Sequence, residues 1–305
     1  MKRRNFLLSM AGSTLGLTMA GRGVAQSGVV PLNISEIAPG IHLIRNAGAN
    51  IVAATTPEGW TVVDSGASAA ASMVSAALRE RAATPVQVLF NTAWRETHTG
   101  GNEALGGQDI RILAHENTRL WMGADFEIAW EDRTHLPRPH SAQPNETFYT
   151  GGDIDVGGLK VRYDYLPQAH SDGDIYVHMP DHNVLVVGEL LGVDSYPVCD
   201  YVTAGWIGGM LQANKNLLEL TDNDTKVIAA YGAVHARATL QAHATMLEAV
   251  FQAVTDTYRS GQSLQEFIAS RPTRDFDDRY GNPELFLTLV YRGAYGHVRE
   301  LGRIV

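Results

Sequence analysis

"NTAWRETHTGGN", residues 91–102, is the stretch on which the reading of this chain turns. It follows "VQVLF", an apolar, β-favouring run that reads as a buried strand ending in a loop. The loop carries Arg95, then His98, then Gly100 and Gly101, which shape the turn into the next helix. Arg is a permanent cation suited to gripping carboxylates in a fork, and His titrates near neutrality. A loop that holds both at the end of a strand reads as a site.

Outward from the loop the chain repeats one grammar. Ahead of it, "GIHLIRNAGANIVAATTPEGWTVVDSGAS" alternates short β-rich runs with turn residues, and "SAAASMVSAALRERAA" from Ser68 has helical spacing. After it come a strand, "DIRILAH", and a short helix, "ENTRLWM". The segment from Phe126 to Pro144 is polar and proline-containing, with no clear period. Such segments are commonly functional or mobile, and residues 121–144 are a candidate lid.

From Thr150 a second block offers "GLKVRYDYLP", "DIYVHMP" and "NVLVVGEL" as strands, "AGWIGGMLQANKNLLEL" as a helix and "TKVIAAY" as a further strand. Two such half-units predict two sheets packed face to face with helices outside. From Arg237 the pattern is helical: a long amphipathic run stopped by Gly261, a Ser-x-x-Glu capping pattern at Ser263 and Glu266, and a last helix in "NPELFLTLVYRGAYGHVREL". Residues 237–305 are therefore expected to be a helical extension, docked on the main domain or used in dimer contacts.

Composition narrows the partners. The 305 residues are 45% hydrophobic and 19% charged, with a formal net charge of −9. With a pI near 5.6 and no block of Lys and Arg, nucleic acid is not an expected ligand. The N-terminus, "MKRRNFLLSMAGSTLGLTMAGRGVAQS", has a basic start, a weakly apolar stretch from Phe6 to Ala20 and small residues at Gly23 and Ala25. It resembles a twin-arginine export signal over residues 1–25, with Arg3 and Arg4 as the pair, which implies the periplasm and no membrane partner after cleavage. Cys199 stands alone, so there is no internal disulfide, and it reads as a small buried apolar residue.

"TVVDSGAS", "NTAWRETHTGGN", "LAHENTR", "PQAHSDGDIYVHMP", "VVGELL" and "TKVIAAYGAV" occur in the order and spacing of the metallo-β-lactamase superfamily, which the chain resembles over residues 33–240. The resemblance implies an α/β fold, a four-layer αββα sandwich, with that domain spanning 26–236. It also implies a loop reading Asn-Thr-His-x-His-x-Asp-His-Thr-Gly-Gly-Asn that clamps two metal ions. On this chain the first His is Ala93, the second is Arg95, the Asp is Thr97, and only His98 matches. The later His matches at His170, the bridging Asp aligns with Glu189, and the last His aligns with Tyr231, so five of seven ligand positions differ. His235 lies near that last position, but "GAVHARA" aligns without a shift.

Ala offers no ligand, Arg repels metal and Thr is a poor donor, whereas two adjacent zinc ions need about four N, O or S ligands each. A dinuclear site is not expected, and no cofactor is. The candidate site residues are Arg95, His98, His170, Glu189 and Tyr231, with Asp64 supporting the loop from behind. Arg95 is expected to pair with Asp64 or Glu189 in a metal-free, ion-paired pocket.

Two functions fit. The first is a pseudo-hydrolase that binds a small anionic or carbonyl-bearing ligand through Arg95. The second is a rebuilt hydrolase or lyase acting on an ester, lactone or β-lactam-like substrate. Its parts would be His98 or His170 as general base, Tyr231 as acid, Arg95 stabilising negative charge and Glu189 orienting a His. Its metal-bearing variant holds one zinc or iron on His98, His170 and Glu189. Each residue also has a plain structural reading: both imidazoles as packed, hydrogen-bonded groups, Tyr231 as a plug, and His115 as a helix-start residue.

Overall fold

Apolar runs with both faces buried build two sheets. The computed structural model describes residues 30–106 and 110–298, so the expected export signal lies outside the described residues. The first sheet begins as an antiparallel meander of β1 (Asn33–Ala38), β2 (Ile41–Arg45), β3 (Ile51–Thr56) and β4 (Gly59–Val63). Helix α1 (Ala71–Arg81) then crosses to β5 (Val86–Phe90), parallel to β4. Two short helices, α2 (Glu96–Thr99) and α3 (Asn102–Leu105), precede β6 (Arg111–His115), parallel to β5, and α4 (Glu116–Gly123) follows it. Strands β7 (Phe126–Ile128) and β8 (Arg133–His135) form a separate hairpin, and β9 (Glu146–Phe148) completes the first sheet beside β6.

The second sheet takes β10 (Gly152–Val156), β11 (Leu159–Tyr165), β12 (Ile175–Met179) and β13 (Val184–Gly188) in antiparallel order. Helix α5 (Ile207–Glu219) returns the chain to β14 (Lys226–Ala229), parallel to β13. Helices α6 (Arg237–Arg259), α7 (Leu264–Ala269), α8 (Asp277–Tyr280) and α9 (Glu284–Ala294) end the described chain. No helix among the described residues is long and apolar enough to cross a membrane.

Strand alternation divides the buried residues into layers, because successive side chains point to opposite faces. Val63, Val88 and Phe90 meet Val177, Val184 and Val186 between the sheets. Their neighbours Val62 and Leu89 face outward onto Val74 and Leu78 of α1. In the second sheet Leu185, Val187 and Val227 face outward onto Leu217, Leu247, Phe267 and Leu289 of the helices. The result is the expected αββα sandwich, and α6, α7 and α9 share a core with the second sheet. The Ser263–Glu266 capping box forms in both directions at the start of α7.

Two segments depart from expectation. Residues 126–144 are not simply irregular, since β7 and β8 lie within them. Their strands are too short to show a period, and what holds them is an aromatic and apolar cluster of Trp94, Trp121, Met122, Phe126, Ile128 and Trp130. Strands β9 and β10 also add to the runs read from the sequence, because Glu146, Asp153 and Asp155 break up their apolar character.

Candidate functional site

The carboxyl ends of the parallel strands in both sheets converge on one place. Asp64 directly follows β4, Asn91 and Thr92 follow β5, Glu189 follows β13, and Tyr231 lies just past β14. Two backbone conformations make the convergence possible. Asp64 sits at φ 61, a left-handed setting that Asp tolerates better than most residues, and this turns its carboxylate back toward Thr92. Gly188 sits at φ 55, and a Cβ there would stand 2.6 Å from the Thr92 hydroxyl. Only glycine lets the end of β13 approach so closely, and the approach delivers Glu189 to the loop after β5.

His98 is the centre of the cluster and is fully buried. Its Nδ1 lies 2.8 Å from Asp64 Oδ2, and its Nε2 lies 3.1 Å from Glu189 Oε1. The Asp64 carboxylate is fixed in turn by the Thr92 backbone N–H at 2.8 Å and the Thr92 hydroxyl at 2.6 Å. An ionised carboxylate only accepts hydrogen bonds, so an imidazole flanked by two must donate from both nitrogens. Burial pulls the His98 proton affinity down, but Asp64 and then Glu189 outweigh it and raise the pKa to about 10. Burial likewise pushes the Glu189 carboxyl up, and His98 outweighs it to bring Glu189 to about 2. The ring is thus held as an imidazolium between two anions. Tyr231 adds a phenol O–H donated to Glu189 Oε1 at 3.1 Å, and burial and the Glu189 charge hold that phenol protonated.

Two expectations are corrected here. His98 does not serve as a general base near neutrality, because a ring that already carries both protons has no lone pair to offer. Arg95 does not pair with Asp64 or Glu189. Its guanidinium bonds Glu131, its Nη1 lies 3.8 Å from Asp200 Oδ2, and its charge sits 5.5 and 5.3 Å from the ring centres of Trp94 and Trp130. The reason is the β7–β8 hairpin, whose connecting turn brings Glu131 to the loop. Burial acts to lower the Arg95 pKa, but Glu189, Glu131 and Asp200 outweigh it, so the guanidinium stays charged.

Arg95 therefore works as a latch. It ties the hairpin to the loop after β5, with Trp130 Nε1 donating to Asp200 Oδ1 at 3.4 Å beside it. Glu131→Ala is expected to destabilise the protein by about 1–3 kcal/mol, the usual range for losing a hydrogen bond to a partly buried charge. The loss should be local, with faster amide hydrogen exchange over residues 126–135. Uniform acceleration across the molecule would mean that the pair does not latch the hairpin.

His170, in the turn between β11 and β12, is also fully buried. Its Nδ1 lies 3.4 Å from Asp174 Oδ1, and Asp174 is itself fixed by the Ser171 N–H at 2.8 Å and hydroxyl at 2.7 Å. Burial lowers the His170 proton affinity and the Arg95 charge lowers it further, but Asp174 and Glu189 together outweigh them and raise the pKa. All the candidate residues thus share one electrostatic neighbourhood. Sequence reading missed Glu131, Asp200, Thr92 and Asp174. Asp174 alone left a signal, four residues after His170 in "HSDGD".

The sequence profile of the metallo-beta-lactamase superfamily matches residues 45–233. The chain belongs to that superfamily. No curated protein matches it. Among solved structures, a metallo-beta-lactamase from Pontibacter korlensis is 18% identical, with 71% of this chain and 99% of that one covered at a TM-score of 0.57. DIM-1 metallo-beta-lactamase is 19% identical, with 72% and 98% covered at 0.57. The sec-alkylsulfatase Pisa1 from Pseudomonas sp. is 13% identical at 0.67, where 86% of this chain spans 50% of that longer one. At such identities the likeness shows the fold alone.

The superfamily's dinuclear metal centre can be tested against the donors present. Ala93 and Thr97 flank Arg95, a fixed cation, and His98 spends both nitrogens on carboxylates. Tyr231 offers a phenol that already donates to Glu189. The set does not fit two ions. The mononuclear set fares little better, because Glu189 and His98 bond each other directly. No His, Cys, Asp or Glu group suited to a metal ion is found among the described residues.

Proposed function

We propose that this chain is a non-dinuclear member of the metallo-beta-lactamase superfamily that binds a small carbonyl-bearing ligand at the converted metal loop. One observation carries the reading: the His98 nitrogens are both engaged, one by Asp64 and one by Glu189. In a metal site an imidazole nitrogen gives its lone pair to the ion, whereas here the charged ring supplies positive charge without one. Ligand binding is supported by the convergence of polar groups at strand ends, the usual place for sites in such sheets. An anionic ligand held through Arg95 has less support, since Glu131 already neutralises that guanidinium.

A rebuilt metal-free hydrolase or lyase is the second reading, favoured by one observation. Among the described residues His170 Nε2 is buried without a hydrogen-bond partner, so this nitrogen is not committed to another group of the protein.

Elemental analysis of the full chain, purified without chelator or metal affinity, tests the first reading together with assays on esters, lactones and β-lactams. Substoichiometric metal and no saturable hydrolysis, with or without added zinc, are the expected results. About one ion per chain, lost in His170→Ala, would replace it with a mononuclear site. Saturable hydrolysis lost in that variant without metal would establish the second reading.

A further inference from the structure

A cavity of about 610 Å³ opens at the amino ends of β4, β5 and β6, between α1 and α3. Trp60 in β4, Val86 at the start of β5 and Ile110 just ahead of β6 line it from the sheet, while Leu78 of α1 and Leu105 of α3 line it from the helices. The candidate site lies at the carboxyl ends of the same strands, about 15 Å away along the five residues of β5. The cavity walls are chiefly apolar: Trp60, Leu78, Leu105 and Ile110 are each no more than 8% exposed and belong to the layer between α1 and the first sheet. Arg79 is the one charged side chain in the lining among the described residues. It is exposed, and its Nη1 donates to Ser75 Oγ at 2.7 Å, one turn back on α1. Ser75 is itself part of the wall, so this bond keeps the guanidinium at the cavity. No carboxylate among the described residues pairs with it.

We propose that this cavity is a second binding site, for a small amphipathic carboxylate whose hydrocarbon body packs on Leu78, Val86, Leu105 and Ile110 and whose head pairs with Arg79. The inference goes beyond the reading of the metal loop and does not depend on it. Small-molecule sites have this size and this mixture, apolar walls with a few polar groups that fix orientation. A guanidinium fork matches the two oxygens of a carboxylate and has no acceptor to offer a cation. The Ser75 hydroxyl accepts from Arg79 and keeps its own proton to donate. The apolar walls ask for hydrocarbon, since a wholly polar anion would bury none of their surface. Charge and apolar surface side by side thus select a ligand that carries both.

Octanoate, octan-1-ol and acetate separate the two halves of that claim, read by NMR of the full chain labelled at Leu and Ile methyl groups. Octanoate is expected to shift the Leu78, Leu105 and Ile110 signals saturably. It should bind about tenfold more tightly than octan-1-ol, the lower end of what a hydrogen bond to a charged group contributes, because Arg79 is exposed. Acetate lacks the hydrocarbon body and is expected to leave the three signals unmoved over the same range. Arg79→Gln, at an exposed helix position, should bring octanoate down to the affinity of the alcohol and leave the alcohol unchanged. Octan-1-ol binding as tightly as octanoate, or octanoate binding unaltered by Arg79→Gln, would overturn the assignment. So would octanoate that shifts none of the three signals, or that shifts Leu190 and Leu191 beside Glu189 in their place. Metal content and hydrolysis assays bear on the metal loop alone, so the failure of either reading leaves the other standing.

Discussion

His98→Ala is expected to cost about 3–5 kcal/mol of folding stability, the range for breaking a buried ion pair by removing one partner. Among the described residues the imidazolium is the single positive charge in direct contact with Asp64 and Glu189, and Asp64 is only 1% exposed. Without the ring, Asp64 keeps its bonds from Thr92, but its charge is left uncompensated. Glu189 keeps the Tyr231 phenol and can escape to the surface or take up a proton, which limits the loss to the lower part of the range. Urea denaturation reads the effect. A second variant separates charge from packing: Glu189→Gln added to His98→Ala removes one stranded anion and should restore part of the loss. Additive losses, or a His98→Ala cost below about 1 kcal/mol, would show that the array does not hold the loop. The cost should not change with chelator, whereas a site built round a metal would respond to it.

This array also shows where sequence reading succeeds and where it stops. The sandwich was legible because buried strands such as "VLVVG" and "VQVLF" are continuous apolar runs, and their order matched one superfamily. Residues tied to strand ends were legible too: Asp64, His98 and Glu189 meet where the alignment of motifs implied. Arg95 was misread because its partner comes from Glu131, 36 positions away, on a hairpin too short to have a period. A guanidinium on a long side chain takes whichever carboxylate the fold brings nearest, and no local spacing encodes that. The protonation of His98 was hidden for a related reason. It depends on two carboxylates reaching opposite sides of one ring, 34 and 91 positions distant in the chain.

Stability should peak near pH 6.5, because fully buried histidines titrate in opposite directions from that value, His243 to one side and His98, joined by His170, to the other. In His243, burial first and the Arg279 charge second lower the pKa to about 3, and its Nε2 accepts the Gly192 N–H at 3.3 Å. The folded state keeps this ring neutral while the unfolded chain binds a proton below about 6.5, so stability falls as pH drops from 6.5 toward 3. His98 has the opposite sign. Its folded pKa is about 10, so its contribution is full below the unfolded value and is lost as pH rises from 6.5 through 10. Glu189, held near 2, adds to the acid side only below about 4.5, where an ordinary carboxyl begins to take up its proton. Each limb has a limiting slope of about 1.4 kcal/mol per pH unit per proton, so several kcal/mol are at stake on either side. Chemical denaturation across pH 4–9 checks the signs: His243→Gln should flatten the acid limb and leave the base limb intact, while His98→Ala should do the reverse. If both variants flattened the same limb, His98 would be neutral in the folded protein. The case for a charged ring in place of metal would then fail at its first step.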